Sequence, residues 1–86
     1  MKIAYEDSNG RIIIATKDSD AYWFAEQINV SYSVLVIDEL APSNQLLCID
    51  VLSTQGKQNS TGEDKYYILG GELYMRENWE EEENEY

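Results

Sequence analysis

Eighty-six residues carry 17 acids, 6 bases and no histidine, a formal net charge of −11. A chain of this size has room for one small core, and its charge repels phosphate backbones and anionic membranes, which argues against direct binding to either. A single cysteine, Cys48, excludes an internal disulfide, and with no histidine it leaves zinc without ligands.

The composition still predicts a folded chain. Hydrophobic residues make up 43%, and seven tyrosines, two tryptophans and a phenylalanine exceed what disordered chains carry. The first residues turn acidic before any apolar run develops, so no secretory leader is expected. No run approaches the length of a bilayer span. The cytoplasm is the expected location.

Residues 2–7 and 11–17 flank Asn9-Gly10, the strongest two-residue hairpin signal because both positions accept positive φ. With those two as the turn, Tyr5 faces Ile14, Ile3 faces Thr16 and Asp7 faces Ile12. Ile3, Tyr5, Ile12 and Ile14 then form a core side. Asp7-Ser8-Asn9-Gly10 also has the opening of a calcium loop, but Arg11 and three isoleucines follow where further ligands belong. A turn is the simpler reading.

Residues 17–29 predict a helix. Asp18, Ser19 and Asp20 are N-cap candidates, which accounts for the two acids without a metal. Ala21, Phe24, Ala25 and Ile28 recur at helical spacing as the apolar stripe, leaving Tyr22, Trp23 and Glu26 towards the flanks or solvent. Residues 30–40 are rich in β-branched side chains and read as a buried strand. Pro42 ends it, and residues 45–53 are expected to return as a further strand, a helix from Ser43 being the alternative. Residues 54–64 are polar and without period, hence a loop.

The last hairpin turns at Gly70-Gly71. Ile68 then faces Leu73 and Tyr66 faces Met75 on the apolar side, while Tyr67 faces Tyr74 on the other, beside Leu69 and Glu72. The element order is β-β-α-β-β-β-β. It predicts an α+β fold, an antiparallel β-sheet of about four to six strands with one α-helix packed on one face. Residues 1–76 make a single domain, and 77–86 an acidic C-terminal tail expected to be flexible in isolation, too short to hold a helix from the Asn78 cap.

Catalysis is not expected. The usual base near neutral pH is missing, Cys48 sits in an apolar run that suits an inert thiol, and carboxylates are too abundant for any pair to stand out. No cofactor and no metal are expected. Tyr67 and Tyr74 raise the possibility of base stacking, but only Lys65 and Arg76 flank them against a negative background. The same pair suits a protein interface, where aromatics supply binding energy.

The tail concentrates the charge, with six carboxylates in the last ten residues around Trp79 and ahead of Tyr86. Solubility calls for the carboxylates but not for the tryptophan. The candidate partner-binding set is Glu77, Trp79, Glu80, Glu81, Glu82, Glu83 and Glu85, with Glu63, Asp64, Tyr67, Glu72 and Tyr74 on the body. Glu6 and Asp7 add carboxylates. The expected partner is a basic protein surface, of the kind that nucleic-acid-binding proteins present to phosphates.

In size and acidity the chain resembles the phage-encoded anti-restriction and anti-CRISPR inhibitors that mimic nucleic acid. The resemblance implies an inhibitor working in the host-cell cytoplasm, its carboxylates standing in for phosphates. The second expectation is an interaction module without mimicry, such as an immunity protein, an antitoxin-like partner or an assembly subunit. It would bind through the tyrosine-bearing sheet or an exposed strand edge, and the tail would be dispensable.

Overall fold

The computed structural model describes residues 1–17 and 20–82. Among these described residues seven elements follow one another: β1 (Lys2–Glu6), β2 (Ile12–Thr16), α1 (Asp20–Gln27), β3 (Tyr32–Val36), α2 (Pro42–Thr54), β4 (Tyr66–Leu69) and β5 (Glu72–Met75). The fold is α+β, but it is built on two sheets rather than one. Strands β2-β1-β3 form an antiparallel three-stranded sheet, and β4-β5 form a separate hairpin. The N-cap candidates Asp18 and Ser19 lie outside the described residues.

A second helix is the main departure from the expected order. Residues expected to return as a strand form α2 instead, and the four-to-six-stranded sheet with one helix is corrected accordingly. Pro42 sits in the first turn of α2, where its fixed φ suits a helix and its missing N–H costs nothing. Leu47, Cys48, Val51 and Leu52 then fall on one helical face and meet the core. Leu46 and Ile49, on the other face, made the segment read as a continuous apolar strand.

The three-stranded sheet is covered on both sides. On one, Ile3 and Ala15 pack with Cys48 and Val51 of α2 and with Tyr66 and Ile68 of β4. On the other, Ala4 meets Ala21 and Ala25 of α1, flanked by Ile13, Ile14 and Val34. Ile3 and Val51 are the largest side chains sealed completely, each worth about 1.5–3 kcal/mol of burial. The two alanines of α1 are fully buried because nothing larger lets the helix lie so close to the sheet. Phe24 and Ile28, expected in the same stripe, are pushed to its margin and are 42% and 48% exposed.

The first hairpin keeps its turn position and changes its register. Ala4 pairs with Ile14 and Tyr5 with Ile12, so Ile13 is a bulge residue, and Ile3 faces Ala15 rather than Thr16. The connection is longer than two residues: the Gly10 N–H donates to the Glu6 carbonyl (2.9 Å), and the Glu6 N–H to the Arg11 carbonyl (2.9 Å). The bulge sends Ile14 to the α1 side while Ile3, Tyr5 and Ile12 stay on the α2 side. Gly10 adopts φ +71°, and its carbonyl accepts the Ile68 N–H (2.9 Å), a backbone bond between the two sheets.

The edges are handled differently. On β2, the side-chain amide of Gln55 accepts the Ala15 N–H (3.0 Å) and donates to the Ala15 carbonyl (3.1 Å), doing the work of a paired strand residue. The segment read as a buried strand is the opposite edge, β3, where Val36 is exposed. Beyond it, the Met1 amine donates to the Ile37 carbonyl (2.7 Å) and pairs with Glu39 (3.0 Å).

Candidate functional site

The second hairpin has the register that its Gly70-Gly71 turn predicts. Tyr66 pairs with Met75, Tyr67 with Tyr74, Ile68 with Leu73 and Leu69 with Glu72. Alternation sends Tyr66 and Ile68 into the core and leaves Tyr67, Tyr74, Leu69 and Glu72 on the other side. The Tyr67 and Tyr74 rings stack at 5.7 Å with 22° between planes. The Tyr74 hydroxyl donates to the Glu72 carboxylate (2.9 Å), which with the carboxylate's charge pushes the phenol's pKa up.

Arg76 organises the rest. Its guanidinium lies 4.8 Å from the Tyr67 ring centre, pairs with Glu63 (3.1 Å) and donates from Nε to the Asp64 carbonyl (2.9 Å). Its own backbone N–H bonds the Lys65 carbonyl (2.8 Å). One side chain thus joins the hairpin to the loop before it. Two residues beyond the Tyr67 partner on β5, Arg76 is the diagonal neighbour of Tyr67, a position readable from the register alone.

The loop itself is held by Asn59. The Asn59 Oδ1 accepts the N–H groups of Thr61 (3.1 Å) and Glu63 (2.9 Å), and the Thr61 hydroxyl bonds the Glu63 carboxylate (2.7 Å). That hydroxyl, followed by the Arg76 charge, holds the Glu63 carboxyl below its ordinary pKa. The polar Asn59-Ser60-Thr61-Gly62 string is the only sequence signal of this, and it is a generic one.

The tail is described as far as Glu82, and it runs along this loop. Asn78 takes φ +56°, a conformation that asparagine tolerates better than most residues. The turn brings the Trp79 indole N–H to the Glu63 carbonyl (2.8 Å), and the Glu82 N–H reaches the Gln58 carbonyl (2.9 Å). Lys57 faces Glu81 at 3.9 Å. Glu83 and Glu85 lie outside the described residues.

The structure therefore joins Glu63, Asp64 and Tyr67 through Arg76, seats Trp79 on Glu63 and Glu81 beside Lys57, and puts Tyr74 and Glu72 on the adjoining hairpin face, while Glu77, Glu80 and Glu82 are exposed on the segment that follows. Asp64 is turned to Arg11 (3.7 Å), and Asn9 and Arg11 border the same cleft, about 220 Å³, as Glu63, Tyr67 and Arg76. Of the other two sequence candidates, Glu6 is half-buried at the end of β1 and Asp7 belongs to a different arrangement. The Asp7 carboxylate accepts the hydroxyls of Ser33 (2.5 Å) and Ser31 (2.7 Å), which lower its pKa in that order.

Among the described residues, Glu72, Glu77, Glu80 and Glu82 have no ion-pair partner, whereas Arg11, Lys57, Lys65 and Arg76 are each matched to an acid. This surface has open carboxylates and its cations are engaged. Chemically it accepts hydrogen bonds from guanidinium and ammonium groups, and Tyr74, 40% exposed, offers a ring to them. No group of three or more potential metal ligands occurs among the described residues, and none of their helices is long and apolar enough to cross a membrane. The chain matches no family model, no curated protein and no solved structure. Its residues take no role from a relative.

Proposed function

We propose that the chain is a binding protein for a basic protein surface, and that by occupying such a surface on a nucleic-acid-handling protein it acts as an inhibitor of the anti-CRISPR or anti-restriction kind. One observation carries this reading: a partly exposed, stacked pair of tyrosines and a half-buried tryptophan lie near Glu72, Glu77, Glu80 and Glu82, carboxylates that lack cations of their own. Coulomb attraction speeds the encounter and selects the sign of the partner, while the rings supply desolvated anchors that slow release. The partner's arginines and lysines would meet Glu72, Glu77, Glu80 and Glu82 where they otherwise meet phosphates.

The test is capture from host-cell lysate on the immobilised full chain, eluted with rising salt and, separately, with added duplex DNA or RNA. The expected retained proteins are nucleic-acid-binding, leave at moderate salt and are displaced by nucleic acid. Glu72→Gln with Glu77→Gln, Glu80→Gln and Glu82→Gln should weaken retention at least tenfold. Retention that survives high salt and ignores nucleic acid would overturn mimicry.

That outcome would favour the second reading, a module without mimicry. A specific feature supports it: Trp23, 59% exposed, stands edge-on to Phe24 with ring centres 5.0 Å apart on the outer side of α1. Such rings are anchors for an interface that depends little on salt.

A further inference from the structure

The three-stranded sheet has two edges, and the fold closes one of them. On β2, Gln55 takes the place of a paired residue. On β3 the odd-numbered residues bond inward to β1: the Asp7 N–H donates to the Ser31 carbonyl (3.0 Å), the Ile37 N–H donates to the Met1 carbonyl (2.8 Å), and Ser33 and Leu35 pair between them with Tyr5 and Ile3. Tyr32, Val34 and Val36 therefore turn their N–H and C=O groups outward. No strand lies on that side, and no hydrogen bond to those backbone groups forms among the described residues. The devices that usually blunt an edge are missing as well. Residues 31–37 contain no proline, glycine or charged side chain, and the β1–β3 register runs without a bulge.

We propose that the β3 edge takes an extended, basic segment of a partner protein as an added strand. The backbone sets the form of the occupant, because a row of outward N–H and C=O groups at strand spacing is satisfied by another extended chain. Charge sets its side chains. At the start of β3, the Asp7 carboxylate is held by the Ser31 and Ser33 hydroxyls, and Glu26 lies at the Tyr32 hydroxyl (3.5 Å). Asp38 and Glu39 follow its end. Against these acids stands Lys2, opposite Val36 on β1, with its ammonium over the Tyr22 ring (5.6 Å). Beyond Val36 the edge runs into an open groove of about 620 Å³ lined by Met1, Val36, Ile37, Asp38, Glu39 and Leu40. Glu39 is paired there with the Met1 amine (3.0 Å), whereas Asp38 accepts the Leu40 N–H (2.9 Å) and has no cation among the described residues. Val36 and Leu40 are 64% and 85% exposed. A lysine or arginine of the added strand lays its methylene stem over them and brings its charge to Asp38. A second copy of this chain is the wrong occupant: two β3 strands paired antiparallel about Val34 set the Glu26 end of one against the Asp38 end of the other, acids facing acids.

The test is a titration of the isotope-labelled full chain with a short, end-capped peptide of alternating lysine and valine, read by amide exchange. Exchange at Tyr32, Val34 and Val36 should slow, while Ser33 and Leu35, already bonded to β1, should change little. The same peptide N-methylated at every second residue keeps its charge and loses its row of donors, so it should bind about tenfold more weakly. Val36→Pro makes the matching change on the protein. It removes one outward N–H at an exposed edge position, where proline is tolerated, and should show a similar loss. A peptide of alternating glutamate and valine should not bind. The chain carrying Glu72→Gln, Glu77→Gln, Glu80→Gln and Glu82→Gln should still show the slowed exchange on β3, so this inference and the proposed function stand or fall separately. Binding that ignores N-methylation, or that the glutamate peptide matches, overturns the proposal. So does protection confined to β4, β5 and the tail. Slowed exchange on β3 that appears when the chain alone is concentrated, together with a doubled mass, would assign the edge to a second copy and overturn it too.

Discussion

At Gly10 the turn of one hairpin touches the backbone of another strand, and two demands fall on one residue. Its φ of +71° disfavours any side chain, and a Cβ placed there would lie 1.8 Å from the Ile68 carbonyl oxygen. Gly10→Ala is expected to cost more than about 2 kcal/mol, since the left-handed conformation accounts for roughly 1–2 and the strands must also separate. Gly56→Ala isolates the first term, because Gly56 has φ +78° and nothing within 4 Å of the added carbon. Denaturant midpoints of the two variants compare the terms directly; equal losses would mean that the contact with β4 contributes nothing. Asp50 makes a second prediction at this scale. The Lys65 ammonium first, then the Tyr66 hydroxyl, hold its carboxyl below the ordinary range. The folded value is lower than the unfolded one, so the stabilisation is complete above about pH 5 and is lost as the pH falls through the folded value. Asp50→Asn should therefore be less stable at neutral pH and show a flatter decline in acid. Urea titrations across the acid range check this, and parallel declines for the two chains would refute it.

Among the elements, strand edges and helix faces decide what can be read from sequence. The second hairpin is legible to the residue because Gly70-Gly71 separates two alternating runs of equal length, and the Tyr67–Tyr74 pair follows from it. The first is legible only in outline. Asn9-Gly10 marks a turn, but the glycine also serves the contact with Ile68, and three consecutive isoleucines fit either register. Helix α2 hides its period because apolar residues occupy both faces. The Asn59 loop and the Trp79 bond join polar residues with no shared spacing, so no pattern announces them. Gln55 belongs with these, since its partner Ala15 is forty residues away. Replacing Gln55 with alanine strips both bonds from the β2 edge, at an expected cost of about 1–2 kcal/mol. Amide exchange at Ala15 should accelerate ahead of its neighbours on β1; unchanged protection would show that water or another group takes the place of the amide.

For the whole molecule, the balance between charge and core is narrow. A net charge of −11 surrounds a core whose largest fully sealed side chains are Ile3 and Val51. Self-repulsion opposes the compact state, and salt screens it. Thermal unfolding should therefore shift to higher temperature as salt rises. A downward shift would mean that screening of pairs such as Lys65–Asp50 and Arg76–Glu63 outweighs the relief of repulsion. The two tryptophans lie in contrasting places: Trp23 stands open on α1, while Trp79 is half-buried with its indole N–H on the Glu63 carbonyl. The protein thereby carries an optical reporter of its own. With Trp23 changed to phenylalanine, all tryptophan emission comes from the position where the tail meets the loop, and its wavelength reads how wet that position is. A partner seating on the acidic stretch would be seen arriving, at a single site and without a label.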